Sequence, residues 1–184
     1  MKSLLFTLLA ALPQTCRATA LPARGPVSLV QARQDPGTTI LYPYATYRWW
    51  LYDGAVKEDP QDQLLVVKDH NPRNESTTLV TFNIASDLQG RGCRLVFDLW
   101  DRDVSTGTQT ADVFTSVRPG NRDQHVGRLY LPKPGAAEWV FAYRGLPDFD
   151  CPAGELIGFE FVGVGDEVGI RWDIGVTGPR VLVV

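Results

Sequence analysis

Histidine, cysteine and clustered basic residues are scarce in this 184-residue chain. Each scarcity excludes something. There are two histidines, His70 and His125, and three cysteines, Cys16, Cys93 and Cys151. Zinc centres gather about four such ligands at short spacing. Nothing here has that spacing, so no metal or other cofactor is expected. Asp101-Arg102-Asp103-Val104-Ser105 with Asp112 is the nearest approach to a calcium loop. Its glycine falls at the seventh position rather than the sixth, and its last ligand is Asp rather than Glu. Basic residues number 18 against 21 acidic ones, a net charge of −3, with no basic stripe. Nucleic acid is therefore not an expected partner. No Gly-x-Ser-x-Gly nucleophile motif occurs. No helical periodicity and no internal repeat are present. Past the first residues there is no second apolar run, so membrane insertion is not expected.

The amino-terminal residues set the compartment. Lys2 precedes the apolar run Ser3–Leu12. Pro13 ends it, and Ala18-Thr19-Ala20 is a small-x-small cleavage site. Residues 1–20 read as a secretory signal peptide. Its removal takes away Lys2 and Arg17 and no acid, so the net charge goes from −3 to −5. Residues 21–38, with Pro22, Gly25, Pro26, Pro36 and Gly37, read as a flexible leader. Residues 39–184 then form one domain.

Cys16 leaves with the signal peptide. Cys93 and Cys151 remain as an even pair in an oxidising compartment, which predicts a disulfide. Asn74-Glu75-Ser76 is an N-glycosylation sequon in a polar loop.

The domain reads as strands. Apolar content is 44%, with five Trp, six Tyr and eight Phe. Val80, Phe82 and Ile84 fall on one face of a strand, and Cys93, Leu95, Phe97 and Leu99 alternate with Arg94, Val96, Asp98 and Trp100. That period of two marks a strand with one buried face. Ile157, Phe159 and Phe161 form one such run, and Val168, Ile170 and Trp172 another. Gly163-Val164-Gly165-Asp166 lies between them, which predicts a β-hairpin with Asp166 as a turn residue. Val56–Asp62 and Val104–Thr110 read as loops. Nine or ten short strands in all argue for an all-β, two-sheet antiparallel β-sandwich, jelly-roll-like, with one disulfide.

Several of these segments resemble the fungal family named for the carboxy-terminal domain of a ubiquitin-3-binding protein. They are Leu79-Val80-Thr81-Phe82-Asn83-Ile84, Gly92-Cys93-Arg94-Leu95-Val96-Phe97, Phe149-Asp150-Cys151-Pro152-Ala153-Gly154, Ile157-Gly158-Phe159-Glu160, Val164-Gly165-Asp166 and Gly178-Pro179. The resemblance runs from about Ile40 to the end. It implies a β-sandwich in small, often secreted, fungal proteins and carries no catalytic residues across. The ubiquitin-like partner in the family's name is intracellular. That conflicts with a signal peptide and is not carried over.

Function is expected to be binding. Trp49, Trp50, Tyr52, Trp100 and Trp139 are candidates for an outward aromatic strip that stacks on sugars. Of Trp49 and Trp50, adjacent on one strand, one must face out. Trp100 lies opposite Leu95, Phe97 and Leu99 and is the best outward candidate. The chain is thus expected to be a secreted, non-enzymatic protein, extracellular or in a cell wall, with a polysaccharide or cell-surface protein as partner. Two alternatives stand beside this. One is a carboxylate-dependent glycan-active enzyme using Asp98 and Glu160, both expected on solvent faces. The other is a purely structural wall component.

Overall fold

A computed structural model describes residues 38–184. The signal peptide and all but the last residue of the leader lie outside the described residues. In chain order the strands are β1 (Thr39–Leu41), β2 (Ala45–Trp50), β3 (Val56–Glu58), β4 (Val66–Lys68), β5 (Ser76–Asn83), β6 (Gly92–Leu99), β7 (Val104–Gly107) and β8 (Thr110–Thr115). They continue with β9 (His125–Tyr130), β10 (Gly135–Ala136), β11 (Glu138–Ala142), β12 (Asp148–Asp150), β13 (Leu156–Gly163), β14 (Val168–Arg171) and β15 (Gly178–Val183). A single 3-10 turn, Ser86–Leu88, is the one helical element among the described residues.

The strands form two antiparallel sheets packed as a sandwich. The smaller has the order β1-β15-β6-β10, with β12 also on β6. The larger has the order β11-β9-β8-β13-β5-β4-β14-β7, with β2 on β5 and β3 on β2. Alternation explains the packing. Leu95, Phe97 and Leu99 of β6 and Val181 and Val183 of β15 turn inward. They meet Val80 and Phe82 of β5, Val113 of β8 and Phe159 and Phe161 of β13. Phe97 sits at the centre. It makes edge-to-face contacts with Phe161, at 5.3 Å between ring centroids, and with Trp172, at 5.2 Å. Such pairs add about 1 kcal/mol each beyond the area they bury.

Cys93 and Cys151 form the expected disulfide, with Cα atoms 5.1 Å apart. Phe149 of β12 pairs with Cys93 in the smaller sheet, and two residues later Cys151 closes the bridge. The chain then leaves for β13 in the larger sheet. The bridge fastens the crossing between sheets to β6.

The expected hairpin does not form. β13 and β14 do not pair with each other; β13 lies between β5 and β8, and β14 between β4 and β7. Residues 104–115 run antiparallel to 159–171 along the whole length. Arg171 pairs with Val104 at one end and Phe159 with Thr115 at the other, with a one-residue slip in the middle. Gly163–Glu167 is therefore a bend in one long strand, not a reversal. Gly165, at φ +95°, and Thr108, whose hydroxyl donates to the Val164 carbonyl, build the corner. Glycine permits a bend and a hairpin turn equally, and only the occupied edges decide between them.

Two segments read as loops contain strands. β3 is entirely exposed and β7 half so. Short edge strands carry few apolar residues, so alternation does not reveal them.

Candidate binding face

Cross-strand register gathers the site on the outward face of the larger sheet. Tyr47 of β2 pairs with Leu79, Leu79 with Glu160, Glu160 with Phe114, and Phe114 with His125. This row crosses five strands. Beside it runs a second row, Val162–Asp112–Arg128–Phe141. The inward partners of these residues fill the core, so both rows point away from it.

Glu160 corrects an expectation. It was expected on a solvent face, yet it is fully buried. The segment between β8 and β9 folds back over it. Ser116 Oγ shapes that segment: it lies 2.6 and 2.9 Å from the carbonyls of Arg118 and Asn121, which share its single hydroxyl proton. Three donors then meet the Glu160 carboxylate: Thr77 Oγ1 at 2.8 Å, Arg122 Nε at 2.9 Å and the Gly120 amide at 3.2 Å. A buried carboxylate needs such donors. Gly120 is required here, because at φ +72° a Cβ would stand 2.8 Å from the Trp49 ring.

Arg122 is where charge meets aromatic surface. Its guanidinium carbon lies 5.9 Å from the Trp49 ring centre and 5.6 Å from that of Phe114. Phe114 stacks on His125 at 4.8 Å. His125 meets Phe141 edge-on at 5.8 Å and Tyr143 at 6.0 Å. Arg128 lies over Phe141 and grips Asp112 with two hydrogen bonds, 2.7 and 3.0 Å. The hydrogen bond to Asp112 raises the Arg128 pKa above its usual value. His125 Nε2 is 3.0 Å from the Gly127 carbonyl and 3.3 Å from Asp112. The result is a continuous patch of half-exposed rings held in place by ion pairs.

Of the five aromatic candidates, only Trp49 belongs to this patch. Trp50 is half buried under the Arg48 guanidinium, and burial lowers the Arg48 pKa. Tyr52 is exposed in the turn after β2, with Arg73 over its ring. Trp100 is about half exposed at the end of β6, in the smaller sheet, with Arg102 over it. Trp139 pairs with buried Leu129 and packs against the core. These five do not make one strip. Phe114, His125, Phe141 and Tyr143 were missed. Alternation marks Phe114 as opposite Val113, but nothing in the sequence says that β8, β9 and β11 are neighbours.

The carboxylate pair of the glycan-active alternative does not assemble. Asp98 lies on the outer face of the smaller sheet, paired with Arg180, and Glu160 lies on the larger sheet under its loop. Asp103 accepts from the Trp100 amide at 2.6 Å, and Asp112 is held by Arg128. No group of three or more potential metal ligands occurs among the described residues. Asn74 is exposed in a turn, where its amide donates to Asp69 at 2.9 Å. No described helix is long and apolar enough to cross a membrane.

In comparison with known proteins, no family model matches the chain and no curated protein matches it. The fungal resemblance rests on the residues quoted for it.

Proposed function

We propose that this chain is a secreted, non-catalytic binding protein of the extracellular space or cell wall, and that it takes polysaccharide on the outer face of the larger sheet. The disulfide is compatible with that location. One observation carries the binding reading: half-exposed rings at Trp49, Phe114, His125, Phe141 and Tyr143 lie beside the fixed polar groups of Arg122, Arg128 and Asp112. Sugar rings offer apolar faces for stacking and hydroxyls for directional bonds, and this patch supplies both kinds of partner. Family membership in the fungal group is part of the same proposal.

The test is retention of the purified protein on insoluble chitin, β-glucan and fungal wall material. Tyr143→Ala, exposed and outside the core, should lose retention while remaining folded. Trp100→Ala, on the other sheet, should keep it. Retention on none of the materials, or equal loss in the Trp100 variant, contradicts the proposal.

A further inference from the structure

A second site lies between the sheets. A cleft of about 490 Å³ opens where β12 of the smaller sheet faces β13 of the larger. Val126, Leu146, Phe149, Ile157 and Phe159 form its apolar walls. Phe149 and Phe159 touch edge-on, with ring centroids 6.2 Å apart. Leu146, Phe149 and Ile157 are only partly buried, so apolar surface stays open in the cleft. The volume is in the usual range for small-molecule sites. An apolar cavity of about 150 Å³ takes one benzene, so this one has room for roughly twenty non-hydrogen atoms.

The rim carries one charge of each sign, and they are not equivalent. Asp123 is turned into its own hairpin, where Thr115 Oγ1 lies 3.4 Å from its carboxylate. Arg144 makes no side-chain hydrogen bond or ion pair among the described residues. Its backbone is in the left-handed region, at φ +56°, followed by Gly145 at φ +83°. Leu146 closes this turn by donating to the Tyr143 carbonyl at 3.2 Å. Turns with two positive φ values favour Asn, Asp or Gly at the first central position. Arginine stands there against that preference, at the lip of an apolar cleft, with no side-chain ion pair among the described residues.

We infer that the cleft binds a single-chain amphiphile, its hydrocarbon body along the open apolar surface of Leu146, Phe149 and Ile157 and its carboxylate on Arg144. The chemistry is complementary at both ends. Apolar walls reward hydrocarbon by area, and a guanidinium at the mouth grips a carboxylate bidentately.

The test uses anilinonaphthalene sulfonate as a fluorescent occupant, displaced by dodecanoate or by dodecanol. Dodecanoate should displace it at about tenfold lower concentration, the worth of a charge-assisted hydrogen bond. Arg144→Asn removes the charge with a residue the turn prefers, so the fold is kept. In that variant the two competitors should become equal. Leu156→Asp puts an anion at an exposed position in the mouth and should weaken dye and dodecanoate alike. The inference is overturned if the dye does not bind the folded protein. It is equally overturned if the two competitors are equal on the unmodified chain, or if Arg144→Asn preserves their difference.

Discussion

Glu160 is wholly buried, and Arg122, 2.9 Å away, is its link to the surface. The arginine side chain keeps about 30% of its exposure and lies between two aromatic rings. Charge burial here fixes a loop and positions a cation on the outer face of the larger sheet. Removing one partner of a buried ion pair strands the other. Arg122→Leu should therefore cost about 3 kcal/mol, at the low end of the range because Arg122 reaches solvent. The double variant Arg122→Leu with Glu160→Leu should recover part of that loss, since no charge is left unpaired. Urea unfolding midpoints measure both. A double variant as unstable as the two singles summed would contradict this account.

The disulfide should be a main source of stability. It closes a loop with a sequence separation of 58 residues. In the loop-entropy account that is worth about 4 kcal/mol. Replacing Cys93 and Cys151 together by Ser should lower the urea midpoint correspondingly, and reducing agent should have no further effect on the variant. An unchanged midpoint would mean that packing alone holds the sheet crossing.

Phe97 joins the two sheets through Phe161 and Trp172. Phe97→Ala should cost about 3–5 kcal/mol by lost burial and a residual cavity. Tyr52→Ala, in an exposed turn, should change stability by no more than about 0.5 kcal/mol. Thermal or urea unfolding of the two variants gives the contrast. Equal losses would deny Phe97 its central place.

The core was legible because burial of one face writes a period of two into β5, β6 and β13. Val80 with Phe82, Leu95 with Phe97, and Phe159 with Phe161 show it directly. The bend at Gly163–Glu167 was misread because glycine-rich segments serve bends and reversals alike, and the occupied edges of β13 and β14 are a property of the whole sheet. The aromatic patch on the larger sheet was mostly hidden. Trp49, Arg122 and Glu160 are far apart in the chain and meet only through strand register and a folded-back loop. Glu160 was read correctly as pointing away from the core, but no local pattern reveals that Ser116, Gly120 and Arg122 bring a cover over it.

We propose that the ligand sits on the outer face of the larger sheet. Titrating isotope-labelled protein with soluble chitin and β-glucan oligosaccharides, and following backbone and arginine side-chain resonances, tests it most directly. Shifts are expected at Phe114, His125, Phe141, Tyr143, Arg122 and Arg128, with Trp100 and Arg102 on the smaller sheet unchanged. Shifts centred on Trp100, or none with either sugar, would contradict it.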